Sequence, residues 1–239
     1  MSVAVITGAA AGIGAACVKS FAAEGWDVVG VDREPLEDGE PLEEGVVGDV
    51  TRRETNVAAV RRAVERFGRL DAVVANAGMS LARSIDDTTD EDIDRLLDVN
   101  LRAVIYLAQA AHPVLARTGG SFVVMASKTG LVAQPDSPLY CATKGAAVQL
   151  ARALALDWAA EGIRVNAVCP GIVDTPMLDG FFDQLPDPGR ARREFAIAQP
   201  LGRLARPEEC AAAALFLASP GASFITGVAL PVDGGFTAQ

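Results

Sequence analysis

Short runs of apolar, mostly β-branched residues punctuate the chain at 3–6, 27–31, 71–75, 121–125, 163–168 and 228–232. Their hydrophobicity is nearly continuous rather than alternating, which predicts strands buried on both faces, as in a parallel sheet. Between them, apolar residues return at helical spacing over 12–24, 55–67, 101–117, 138–160 and 207–218. Strands alternating with helices of that length predict an α/β fold, a doubly wound parallel sheet with helices on both faces. No Pro/Ser-rich linker, shift in composition or internal repeat divides the sequence, so residues 1–239 are expected to form a single domain.

Two stretches break the alternation. Residues 33–45, REPLEDGEPLEEG, read as an acidic loop where such a fold usually inserts a helix. Residues 174–203 are long, rich in Pro and Gly, and dotted with Phe181, Phe182 and Phe195. Loops of that length in compact domains are usually lids or binding segments. Together with Leu185, the three rings are expected to close over a mainly apolar substrate.

Charge narrows the partners. With 21 Lys and Arg against 31 Asp and Glu, the formal charge is −10, which opposes binding to nucleic acid or to an anionic membrane surface. No apolar run approaches the ~20 residues that span a bilayer. The opening MSVAVITGAA lacks the charged segment and cleavage pattern of a secretory signal, so a cytoplasmic protein is expected. Cys17, Cys141, Cys169 and Cys210 lie far apart, and His112, which precedes Pro113, is the one histidine. That spacing offers no metal site and no disulfide framework. It also leaves little for a Ser-His-Asp mechanism, since no G-x-S-x-G elbow is present.

The first strand runs into TGAAAGIG, and a helix follows. Gly8, Gly12 and Gly14, with Ile13 among them, allow a sharp turn and close approach to a pyrophosphate held at the helix N-terminus, although small-residue turns also serve packing alone. Asp32 closes the second strand, where a dinucleotide fold places the acid that accepts from the adenosine ribose hydroxyls. Arg33 would suit a 2′-phosphate, but Glu34, Glu37, Asp38, Glu40, Glu43 and Glu44 would repel one. The balance favours NAD over NADP. Farther on, SPLYCATKGAA places Tyr140 and Lys144 four residues apart, on one face of a helix and among small neighbours. A phenol beside an ammonium serves either acid–base chemistry or an ordinary surface pair.

Taken together, TGAAAGIG, NAG at 76–78, Asn100, Ser127, YCATK, PGIVDTPM at 170–177 and VDGG at 232–235 resemble the short-chain dehydrogenase/reductase family in its single-domain, Rossmann-like form, from residue 3 to residue 235. The resemblance implies roles. Tyr140 would be the general acid–base. Lys144 would favour its phenolate and hold the nicotinamide ribose, Ser127 would hold the substrate oxygen, and Asn100 would anchor a water chain to Lys144. Asp49 and Val50, opening the DVT segment, would meet the adenine. Asn76, Ala77 and Gly78 would line the cofactor, and Pro170, Val173 and Thr175 would fix its carboxamide. Some members hold a substrate carboxylate with an arginine three residues before the tyrosine. Here that residue is Ser137, which leaves Arg203 or one of Arg190, Arg192 and Arg193 as substitutes. The family also implies a homotetramer paired through helices 101–117 and 138–160. The activity implied is NAD-dependent hydride transfer to or from a small secondary alcohol, hydroxy acid or sugar derivative. A 3-oxoacyl-(acyl-carrier-protein) reductase using NADPH is opposed by Asp32 and the acidic loop. A dinucleotide-binding sensor without turnover would need none of Asn100, Ser127, Tyr140 and Lys144.

Overall fold

In the computed structural model, which describes residues 1–36, 44–182 and 186–238, the apolar runs align as one sheet. Its strands are β1 (Val3–Thr7), β2 (Asp27–Asp32), β3 (Glu44–Val47), β4 (Ala72–Ala75), β5 (Ser121–Met125), β6 (Arg164–Pro170) and β7 (Ala229–Val232). All neighbours run parallel, in the order β3-β2-β1-β4-β5-β6-β7. Val5 of β1 lies between Val29 of β2 and Val73 of β4. The winding reverses between β1 and β4, and the crevice at such a switch point is where doubly wound sheets bind ligands.

Alternate residues of each strand serve two cores. Val3, Val5, Val73 and Phe122 pack under α2 (Arg53–Phe67), α4 (Ala103–Thr118) and α5 (Pro138–Asp157). Ala4, Ile6, Val74 and Val123 pack under α1 (Gly12–Ala23) and α8 (Pro207–Ala218). Both faces are covered, which is why the strands read as unbroken apolar runs. Between β4 and α4 lies α3 (Asp90–Leu97), started by a capping box in which Thr89 and Asp92 exchange hydrogen bonds.

Two expectations need correction. The stretch 33–45 is not loop throughout, because Glu44 and Gly45 open β3, an edge strand paired only to β2. The acidic positions Glu37, Asp38, Glu40 and Glu43 lie outside the described residues. The stretch 174–203 is not a loop either. It holds α6 (Pro176–Phe182) and α7 (Pro188–Ile197), while Leu185 lies outside the described residues. Pro188 stands in the first turn of α7, where its missing N–H costs nothing, and Asp187 caps that helix by accepting from the Arg190 N–H at 2.8 Å. Among the described residues, no helix is long and apolar enough to cross a membrane, and no cluster of His, Cys, Asp or Glu could hold a metal ion. All four cysteines are free thiols. His112 stacks on Trp158 at 4.6 Å and meets Glu161 at 3.0 Å, a packing role in α4.

Candidate active site

A cleft of about 360 Å³ opens beyond the C-terminal ends of the central strands. On one side the chain leaves β1 at Thr7 and turns through Gly8 into α1. Gly8 has φ +67°, and a Cβ on Gly14 would stand 1.8 Å from the Gly8 carbonyl oxygen, so turn and helix approach as only glycines permit. Asn76 ties this turn to the end of β4. Its Nδ2 donates to the carbonyls of Thr7 and Gly8 at 2.9 and 3.3 Å, while Thr7 Oγ1 accepts from the Asn76 and Ala77 N–H groups, both at 3.0 Å. Helix α1 has no side-chain cap and no acid in its first turn. Its first N–H groups therefore form a donor set suited to a pyrophosphate. Asp32, also on the cleft wall, accepts from the Ala10 N–H at 3.0 Å and the Glu34 N–H at 3.2 Å, which holds its carboxylate over the glycine turn.

Not every expected cofactor contact gathers here. Gly14, Arg33, Asp49 and Val50 stand outside the cleft lining. Asp49 folds onto its own turn, accepting from the Thr51 N–H at 2.9 Å. Burial pushes its carboxyl up, but the Thr51 bonds and the charges of Arg33 and Arg52 outweigh burial and hold it below the usual range. Val50 is buried, its carbonyl accepting from Asn56 Nδ2 at 2.7 Å. Gly8, Gly12, Ile13, Asp32, Asn76, Ala77, Gly78, Pro170, Val173 and Thr175 do border the cleft.

The reactive side chains come from three elements. Between α3 and α4 the chain makes a π turn, Asp98–Arg102, a local insertion common at functional sites. It turns Asn100 inward. Asn100 Oδ1 accepts from the Met79 N–H at 2.9 Å, and its Nδ2 donates to the Met79 carbonyl at 2.9 Å and to Thr143 Oγ1 at 3.2 Å. Both amide hydrogens are thus committed, and the side chain pins the segment after Gly78 to α5. Ser127 follows β5. Its Oγ accepts from the Thr129 N–H at 3.2 Å and the Thr129 hydroxyl at 3.0 Å. A serine oxygen has two acceptor sites and one hydrogen, so the Ser127 proton is left for the Tyr140 oxygen across the cleft. Tyr140 meets Ser127 from the first turn of α5. One turn on, buried Lys144 donates to the Met125 carbonyl at 3.0 Å, with its Nζ 5.9 Å from the Tyr140 ring centre.

The electrostatics differ from the expectation. Burial raises the Tyr140 phenol, and the Ser127 bond only partly offsets this. Burial likewise pushes the Lys144 ammonium down to about 8. In the chain alone, desolvation therefore outweighs any lowering of the phenol by Lys144, because both groups lie in a poorly hydrated wall. The four positions Asn100, Ser127, Tyr140 and Lys144 nonetheless converge within one connected set of hydrogen bonds and packing contacts.

One contributing residue was missed by the sequence reading, and others hold the lid together in ways it did not foresee. Gln199 is fully buried, and its Oε1 accepts from the Ile172 N–H at 2.9 Å. Its Nε2 donates to the carbonyls of Ile172 and Arg203 at 3.2 and 2.7 Å. Gly171 makes this possible, since a Cβ there would lie 2.3 Å from Gln199 Oε1. Arg192 of α7 pairs with Asp174 and, at 2.9 Å, with Asp179 of α6. Phe181, Phe182 and Phe195 bind α6 to α7, with ring centres 5.3–5.9 Å apart. A side chain that clasps backbone across a turn has no short motif, which is why Gln199 did not stand out, while Arg192 stood out only as a candidate for a substrate carboxylate. Of the arginines considered for a substrate carboxylate, Arg193 is exposed outside the cleft lining and the others are engaged elsewhere. Arg203 grips Glu209 at 2.7 and 2.8 Å, and Arg190 pairs with Glu194 at 2.7 Å.

Comparison with known proteins agrees with this fold. The family model described as enoyl-(acyl carrier protein) reductase matches residues 8–237. The chain is 43% identical to an L-fucose dehydrogenase from Oryctolagus cuniculus, over 98% of its own length and 84% of that protein. It is 39% identical to a meso-2,3-butanediol dehydrogenase from Serratia marcescens, over 99% of its own length and 95% of that protein. The crystal structure of a 3-ketoacyl-(acyl-carrier-protein) reductase from Brucella melitensis, complexed with NADH, superposes with a TM-score of 0.91. That pair shares 36% identity, covering 99% of this chain and 98% of the other.

Proposed function

The chain belongs to the short-chain dehydrogenase/reductase family of oxidoreductases acting on CH–OH groups, and from that premise we propose that it is an NAD-dependent dehydrogenase of a secondary alcohol, run in reverse as a ketone reductase. The observation that carries the reading is the meeting of Ser127 and Tyr140 above buried Lys144 in the cleft wall. The glycine turn and the uncapped start of α1 would hold the pyrophosphate, Asp32 the adenosine ribose, and Thr175 with Val173 the nicotinamide end. A bound nicotinamide supplies the hydride acceptor or donor. In oxidation Tyr140 Oη takes the proton of the substrate hydroxyl, and in reduction it returns one. Ser127 turns its hydrogen from Tyr140 to the same oxygen and fixes its position. Lys144, held by the Met125 carbonyl, supplies the positive charge that favours a phenolate. Asn100 keeps Met79 and Thr143 in place around this group. The four free thiols suit a reducing compartment, so we read the chain as one cytoplasmic domain.

NADH formation from a panel of secondary alcohols tests the assignment. Tyr140→Phe should keep NAD affinity and lose turnover by ~10²–10⁴-fold, the usual contribution of a general acid–base group. A variant retaining near-full kcat would remove Tyr140 from the mechanism.

A further inference from the structure

Beside Tyr140, the cleft is walled by Met177, Leu178, Phe181 and Phe195 of the two lid helices and by Leu81 and Ile172. The Phe181 and Phe195 rings stand 5.6 Å apart. What this end offers to a charged substrate can be counted residue by residue. Arg192, the cation nearest the rings, is paired with Asp174 and Asp179 and lies over Phe182 at 6.0 Å. Arg190 and Arg203 are held by Glu194 and Glu209. Arg193 is exposed and outside the cleft lining. Lys144 is committed to the Met125 carbonyl. Lys128 does border the cleft, but its ammonium sits 3.3 Å from the centre of the Phe236 ring, which is not part of the lining. Asp233 lies close enough to supply the opposing charge.

A carboxylate or phosphate entering this space would lose its water and, among the described residues, gain no free cation, a cost that apolar contact does not repay. A polyol fares little better. Besides the reacting pair and Lys128, the polar side chains of this end are Ser80, Thr129, Gln134 and Ser137, and the Thr129 hydroxyl is already given to Ser127, which leaves too few to match a ring of hydroxyls. Resting on the oxidoreductase reading above, we propose that the substrate is a neutral, apolar secondary alcohol or its ketone, selected by the lid phenylalanines rather than by an ion pair. This departs from what the names of the sugar-oxidising relatives would suggest.

Three probes separate the possibilities, each assayed with the whole chain and NAD. They are 4-methylcyclohexanol, 4-hydroxycyclohexanecarboxylate, which differs from it chiefly in charge, and L-fucose. The methyl compound should exceed each of the others in kcat/KM by roughly tenfold or more, the scale on which pockets discriminate single groups. Met177→Arg, at a half-exposed position on the cleft rim, should move the ratio roughly tenfold toward the carboxylate. Equal or better use of the carboxylate or of L-fucose by the wild type would overturn the proposal and leave the oxidoreductase reading standing. A carboxylate preference lost in Lys128→Met would show further that Lys128 serves the substrate. Oxidation of none of the three would overturn both.

Discussion

Asp32 is placed by its own bonds to the Ala10 and Glu34 N–H groups, so its charge sits at a fixed point above the glycine turn. A 2′-phosphate about 4 Å away would be repelled by about 4 kcal/mol at an effective dielectric of 20, reduced by solvent and salt. Even ~2 kcal/mol leaves NAD preferred by more than tenfold. Arg33 does not reverse this, since it stands outside the cleft lining and its charge is felt by Asp49. Asp32→Ala should lower kcat/KM with NAD and raise it with NADP, narrowing the gap from both sides. Equal use of the two cofactors by the wild type would show that Asp32 does not govern the choice. The same scale sets a pH dependence. Burial disfavours the Tyr140 phenolate, raising the phenol above its ordinary value. Oxidation needs the phenolate, so its kcat/KM should climb as pH rises above neutral, while ketone reduction, which needs the phenol, should hold at lower pH. A flat oxidation profile over that range would mean that another group carries the proton.

Among the elements, the segment from Ile172 to Thr175 is the one most constrained from outside the sheet. Gln199 clasps Ile172 by both backbone groups, and Arg192 reaches Asp174 from α7. Through them the lid helices and this cleft-lining segment are one mechanical unit. Gln199→Ala removes three hydrogen bonds and strands buried backbone groups, so a loss of about 2–3 kcal/mol is expected, readable by urea unfolding. The KM for NAD should rise by a larger factor than kcat falls. An unchanged KM would mean that the clasp serves stability alone. Neither of these ties was legible in the sequence, whereas much of the framework was. The central strands declared themselves because both faces are buried, and Ser121–Met125 and Pro207–Ala218 have the expected bounds. Strand β3 was lost because its edge position leaves every residue at least partly exposed, and no apolar run marks it. The lid helices were hidden by their own start signals, Pro176 and Pro188, which read as breakers when the turn that follows is short. Helix α3 is acidic and half-exposed, and only the Thr89–Asp92 box could have announced it. At the site, residues carried by compact motifs were legible, while those acting through the backbone of a distant loop were not.

At the scale of the whole molecule, two of the places where large apolar residues are exposed bear on assembly. Leu156 near the end of α5 is 81% exposed. Phe216 of α8 and Phe224 are 46% and 103% exposed, near β7, a sheet edge whose outer side has no partner strand among the described residues. An open edge flanked by aromatic rings is a pairing surface. Two distinct self-complementary surfaces on one chain generate a closed tetramer, while one alone gives a dimer. We therefore expect a homotetramer in solution, measurable by light scattering. Each chain carries −10, so assembly works against repulsion and should tighten as salt screens it. A two-fold interface holds each residue twice. Phe224→Glu would thus remove two buried rings, at ~2 kcal/mol each, and weaken that contact by ~10³-fold or more. The variant should sediment as a dimer joined through α4 and α5, with Leu156→Glu breaking the complementary contact. A wild type that stays monomeric at micromolar concentration and high salt would mean that these rings face solvent or another protein, and that the catalytic cleft is complete within one chain.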